Sequence, residues 1–242
     1  MKRFFITSIV IFIHLIVLGQ NKTDCNINYS DLNEFNISGK VKTVQTRTFK
    51  LDEKDIDENI KASDSISWFN ESIVYYNRNG NVDSLTISYL NPTQSKKIEN
   101  LKTKYTFNDK NRQGITVNKN LTSKTFKTWV DNNKYTESSY SSEGLYLKLE
   151  TTTLDKCNRI SERNIKIIDP RFSSNKNSQY IFDNQGHLSK IITSFEGSNK
   201  VEFLKKKNLK FDKLNNPTIT INTSEKDESV VKNLSLAKYT YY

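Results

Sequence analysis

The chain carries two histidines, His14 and His187, and two cysteines, Cys25 and Cys157. His14 falls in an apolar leader, so a Ser/His/Asp relay in the exported chain would have to use His187. That residue follows Gly186 at the exit of a turn, where equivalent turns hold Asn81, Arg112, Leu145, Arg159 and Asn216. The expectation is a surface histidine at a variable position. One histidine and two distant cysteines do not make a transition-metal site. Asp55, Asp57 and Asn59 begin like a calcium loop, but Ile60 stands where such a loop needs glycine and Ile66 where it needs its last acidic ligand. No phosphate-cradling glycine loop is present. Two carboxylates able to meet in space would suffice for glycoside hydrolysis, yet no pair is singled out by its surroundings. The residues therefore name no catalytic group, cofactor or metal.

Binding chemistry has more to work with. Alternation places Trp129 on the Lys127-bearing face of its strand, opposite Phe126 and Val130. It places Tyr146 on the face that carries Lys148. Rings on an otherwise polar sheet face can stack on sugars or receive another protein's side chains, so Trp129 and Tyr146 are the candidate ligand-binding residues. Their structural alternative is packing against cross-strand neighbours or a second layer.

These groups sit in an exported chain. Lys2 and Arg3 precede an apolar run from Phe4 to Leu18, which ends at Gly19-Gln20 before polar sequence begins. That is the layout of a secretory signal peptide over 1–20, and the run is shorter than the roughly 20 residues of a membrane span. No cysteine follows it directly, which argues against a lipid anchor. The expected location is periplasmic or extracellular, at the cell surface. In an oxidising compartment Cys25 and Cys157 are a candidate disulfide, though nothing in the sequence shows that they meet. The formal net charge is +10. Export makes nucleic acid the least fitting anionic partner. Envelope glycan or another exported protein fits better, and interspersed Asp and Glu also suit a plain solvated surface.

Twelve Tyr and thirteen Phe, with frequent Thr, favour strands over helices. Residues 21–39 form an irregular lead-in, with a short helical turn expected near Asp31-Leu32-Asn33-Glu34. Val41 to Lys50 is the first strand, and the acidic stretch from Leu51 to Asp64 is a loop or insertion. From Ile66 onward apolar and polar residues alternate, as in Leu85, Ile87 and Tyr89 against Ser84, Thr86 and Ser88.

One turn template recurs: an apolar or aromatic residue, then Asp, Asn or Ser, two free positions, then Gly or Asn. It fits Asn77 to Gly80, Asn108 to Asn111, Ser141 to Gly144, Asp155 to Asn158, Asp183 to Gly186 and Asp212 to Asn215. The first residue's side chain bonds amides ahead of it in a type I turn. The last must adopt a left-handed backbone in a bulge, which Gly does freely and Asn tolerates. A further turn lies at Asp131-Asn132-Asn133. The expected fold is all-β: an antiparallel meander of repeated hairpins over residues 40–242, forming an extended, curved sheet.

The repeated aromatic-Asp-x-x-Gly-x-apolar pattern, fullest at Phe182 to Leu188, resembles the tyrosine–aspartate (YD) repeats of Rhs-type proteins. It is especially similar to small exported bacterial proteins with a few divergent copies, and Ile37 to Val44 looks like their opening. The similarity covers roughly 37–242. Three copies replace the Gly with Asn, and the Tyr before Asp is never intact. The resemblance implies hairpin sheets that wrap or encapsulate, a loose association with sugars, and no catalytic residue. The leading expectation is a non-enzymatic binding or scaffold module of the cell envelope. The rivals are a secreted carboxylate-dependent glycoside hydrolase and a protective partner of a secreted toxin.

Overall fold

The computed structural model describes residues 28–51, 68–91, 96–108, 111–118, 121–168, 174–226 and 229–242. The expected leader, Cys25 and residues 52–64 of the acidic stretch lie outside them. A 3-10 turn over Asn33–Phe35 comes first. Then follow β1 (Val41–Leu51), β2 (Trp68–Tyr76), β3 (Val82–Asn91), β4 (Lys96–Asn108) and β5 (Asn111–Asn118). The chain continues through β6 (Leu121–Trp129), β7 (Lys134–Ser141), β8 (Tyr146–Leu154), β9 (Ile160–Ile167) and β10 (Ser174–Phe182). It finishes with β11 (Leu188–Phe195), β12 (Val201–Phe211), β13 (Pro217–Lys226) and β14 (Ser229–Tyr241).

Each strand pairs antiparallel with its neighbour in sequence, and β1 also pairs with β14, from Val41↔Tyr241 to Leu51↔Lys232. The sheet is thus a closed barrel, which corrects the expectation of an extended curved sheet. An open meander would leave two rows of unpaired backbone groups, and the β1–β14 seam removes both edges at once. The terminal Lys238-Tyr-Thr-Tyr-Tyr242 segment is therefore a closing strand, and the Tyr242 amide donates to the Lys40 carbonyl at 3.0 Å.

Five of the six template turns share one geometry. Gly80, Gly144, Asn158, Gly186 and Asn215 all have positive φ, between 59 and 85°. In each, the first residue's side chain accepts hydrogen bonds from amides two and four residues ahead. Asp183 Oδ1, for example, takes the amides of Gln185 at 2.9 Å and His187 at 2.8 Å. The sixth differs. Asn111 pairs directly with Asn108 inside the β4–β5 ladder and has no positive φ, so that hairpin is tighter than the template. The Asp131 turn is present, with the Val130 amide bonding the Lys134 carbonyl at 2.9 Å.

The lead-in fixes which face of the wall is inner. Leu32 packs with Val41, Val44 and Tyr76, and Ile37 and Tyr239 lie against that cluster. Cross-strand register carries this face round the barrel through Val74, Leu85 and Thr103, then Lys127, Glu137 and Glu150. The opposite face, on which Lys102, Lys104, Lys124, Lys166, Lys205 and Lys207 stand exposed, is outer. An apolar cluster on that outer face, Phe49, Ile221 and Leu234, is buried and packs with Trp68, Leu209, Ile219 and Leu236.

Candidate functional site

The lead-in closes one end of the barrel with charge. Asp31 and Glu34 descend onto Lys127, whose side chain is 1% exposed, at 3.2 and 3.0 Å. Arg112 reaches Asp31 and, at 3.5 Å, Glu137. Arg163 holds Glu150 at 2.8 Å and approaches Glu34 at 4.0 Å. Aromatic rings enclose the ammonium. Lys127 Nζ lies 3.7 Å from the Tyr135 ring centroid and 4.7 Å from that of Tyr29. Lys127 Nζ also donates to the Tyr29 hydroxyl, which in turn is placed to donate to Asp31 and Glu34. Such a network is stable only when every member is paired, because an isolated charge in a dry site is costly.

The titration behaviour follows from this packing. Burial pushes the Asp31 carboxyl up, but Arg112, Lys127 and hydrogen bonds from Tyr29 and the Val82 amide outweigh it and hold Asp31 below the usual carboxylate range. Burial, reinforced by Glu34 and Asp31, raises the Tyr29 phenol far above its ordinary value. Tyr105, buried beside Arg112, is pushed up to about 12.

The turn-exit positions stitch this end together. Asn81 Oδ1 accepts from the Asp31 amide at 3.4 Å. The Arg159 guanidinium lies over the Phe182 ring of the next hairpin at 4.5 Å. His187 is 3% exposed, which corrects the expectation of a surface histidine. Its Nε2 meets the Asn215 carbonyl at 3.0 Å and its ring packs on Phe211. Asn216, fully buried, bonds both the amide and the carbonyl of Ser38. A hairpin considered alone leaves these positions at the surface, but the neighbouring turn meets Arg159 and His187, and the lead-in meets Asn81 and Asn216. Cys157 in this rim is disulfide-bonded, and the chain's other cysteine, Cys25, lies outside the described residues.

Trp129 and Tyr146 do not meet. Trp129 shares the Lys127-bearing face, as alternation placed it, but that face is the inner wall, where Trp129 is part of the plug seat, edge-on to Tyr29 at 4.6 Å and tilted against Tyr135 at 5.3 Å. Tyr146 is displaced by a bulge between Ser139 and Tyr140 in the β7–β8 pairing. The extra residue breaks the alternation that put it with Lys148. It stacks on Tyr140, with centroids 5.2 Å apart and planes at 30°, and Tyr140 meets Phe126 edge-on at 5.9 Å. These rings stand on the outer wall beside a cleft of about 520 Å³ lined by Phe126, Tyr140, Lys124, Thr128, Ser138 and Ser141. Sequence reasoning missed Tyr140 and Phe126 as its companions. The i, i+2 spacing of Ser138 and Tyr140 was the available signal, and the register that pairs Ser138 with Phe126 emerges only in the fold.

Among the described residues no group of three or more His, Cys, Asp or Glu could hold a metal ion. Nor is any described helix long and apolar enough to cross a membrane.

No family model and no curated protein matches the chain. Among solved structures, it is similar to a porin-like protein from Bacteroides vulgatus, with 11% identity and a TM-score of 0.47 over 85% of this chain and 99% of that one. A porin-like protein from Bacteroides uniformis gives 10% identity and a TM-score of 0.40 over 83% and 98%.

Proposed function

We propose that this chain is a non-enzymatic, exported module of the cell envelope: a water-exposed β-barrel, plugged at one end, that binds glycan on its outer wall. The observation that carries the binding reading is the ring set of Phe126, Tyr140 and Tyr146 between serine and threonine hydroxyls. Aromatic faces suit the C–H faces of sugar rings, and the hydroxyls with Lys124 suit the sugar's oxygens.

The water-exposed reading rests on the outer lysines. A lysine at the midplane of a membrane-spanning barrel costs roughly 2–4 kcal/mol. Lys102 and Lys104 on β4, Lys124 on β6, Lys166 on β9 and Lys205 and Lys207 on β12 all stand exposed on that wall. A spanning barrel instead presents an unbroken apolar band. The five alike turns support the YD-repeat reading of the sequence, whose loose association with sugars points the same way.

Affinity electrophoresis of the exported protein through soluble polysaccharides tests the proposal. A retained polysaccharide is expected, with Tyr140→Ala weakening retention by ~10-fold through lost ring stacking and Phe126→Ala by less. Retention that none of Phe126→Ala, Tyr140→Ala and Tyr146→Ala alters would remove the cleft from the account. A polysaccharide that is shortened rather than retained would replace binding with hydrolysis.

A further inference from the structure

Two cross-strand rows run round the outer wall through the aromatic cleft. In the first, Lys104 on β4 faces Ile115 on β5, Ile115 faces Lys124 on β6, Lys124 faces Tyr140 on β7, and Tyr140 faces Tyr146 on β8. In the second, Gln113 faces Phe126, Phe126 faces Ser138, Ser138 faces Leu149, and Leu149 faces Lys166 on β9. Neighbouring strands lie ~4.8 Å apart, so Lys104 and Lys124 stand ~10 Å apart along their row. All three lysines are exposed, and so is Ile115 between the first two. No carboxylate opposes Lys104 or Lys124 on either side: their cross-strand partners are Ser84, Ile115 and Tyr140. Among the described side chains, the outward positions of β4 to β8 also hold Lys102 and Lys134, and no Asp or Glu. The carboxylates of β7 and β8 point the other way, Glu137 to Arg112 and Glu150 to Arg163 on the inner wall. Asp131 and Glu143 lie in the turns at the two ends of β7, and neither lines the cleft.

We propose, resting on the glycan reading of the outer cleft, that this wall takes an anionic polysaccharide of the uronic-acid class, laid along the rows. Sugar rings stack on the Tyr140 and Tyr146 pair. Carboxylates further along the chain pair with Lys124 and Lys104, whose separation is about the span of two linked sugars. Ile115 gives the intervening ring an apolar floor. Each exposed ion pair is weak alone. A chain engages several at once, and the unbalanced positive field of the wall draws it in. A neutral glycan would leave that field unused. An anionic membrane surface fits less well, because a flat bilayer meets a convex wall along one line, whereas a flexible chain follows the row round the curve.

Calorimetry of the exported protein with polygalacturonate and hyaluronate, each beside its carboxyl-reduced neutral form, is the test. An acidic form is expected to bind ~10-fold more tightly than its reduced form, and to lose that advantage by ~0.5 M salt. Lys104→Gln and Lys124→Gln should each weaken the acidic form severalfold and leave the reduced form unchanged, whereas Tyr140→Ala weakens both. Lys238→Gln removes the same charge from the outer face of β14 and should change neither. Equal binding of acidic and reduced forms would overturn the anionic assignment and leave the cleft reading standing. Binding to no polysaccharide would overturn both. An equal loss in Lys238→Gln would reduce the attraction to net charge and overturn the rows as its site. Binding to phosphatidylglycerol vesicles that depends on Lys104, without binding to either polysaccharide, would give the wall to lipid instead.

Discussion

Replacing Lys127 by Met is expected to destabilise the barrel by about 3 kcal/mol, the lower end of what breaking a buried ion pair costs. The reason is what remains. Asp31 keeps Arg112, but Glu34 is left with Arg163 at 4.0 Å and the neutral hydroxyls of Tyr29 and Tyr135, in a pocket built for an ammonium. Guanidinium unfolding of the two proteins gives the difference directly. Adding Glu34→Gln to Lys127→Met should recover part of the loss, since the stranded charge is then gone. The pH dependence has a definite sign. Asp31 is held below its usual value of 3.8, so the folded state binds its proton less readily than the unfolded chain. Its contribution is complete above pH ~4 and is lost as pH falls through the depressed folded value. Acid should therefore loosen the plug region of the wild type only as pH falls below about 4.

Asn216→Ala is expected to cost a similar amount, about 3 kcal/mol, by a different route. Asn216 Oδ1 accepts from the Ser38 amide at 2.7 Å, and its Nδ2 donates to the Ser38 carbonyl at 2.9 Å and the Tyr241 hydroxyl at 2.9 Å. Truncation breaks these bonds to Ser38 and Tyr241 together, each worth about 1 kcal/mol. The seam suffers as well, because Tyr241 belongs to β14 and also bonds Asp212. Hydrogen exchange separates this from a general loss of stability. The Ser38 amide should lose protection by more than the strand amides of β6 and β7, which lie away from the substitution. Uniform loss across the barrel would instead mean that Asn216 acts through global packing.

What the sequence reveals and what it conceals divide along the range of the interactions. The Asp183 turn is local: its carboxylate caps amides two and four residues ahead, and Gly186 takes the left-handed backbone. Each requirement selects a residue type within five positions. Closure depends on Val41 finding Tyr241, and no local pattern records a pairing across the length of the chain. The plug is hidden for a related reason. Lys127 and Glu150 follow Phe126 and Leu149 just as solvent-facing residues would, and Arg112 and Glu137 lie in wholly polar runs, so an inner wall that meets a charged plug reads in sequence as a surface. Asp31 and Glu34 gave no sign of their role, because their partners lie about 80 to 130 residues away. Tyr146 failed on a finer scale, since one bulge reverses a face. Gly186 also has a tertiary role that its turn chemistry does not announce: a Cβ there would meet Asn36 Nδ2 at 2.6 Å, so the turn packs against the lead-in.

A membrane-spanning barrel and a plugged, water-exposed one differ in what the outer wall faces. Flotation of the exported protein with phospholipid vesicles, prepared without detergent, separates them. The account predicts a soluble barrel that stays in the dense fraction and leaves the vesicles impermeable to ions, because the outer lysines prefer water. A protein that requires detergent, floats with the vesicles and makes them conduct would contradict it.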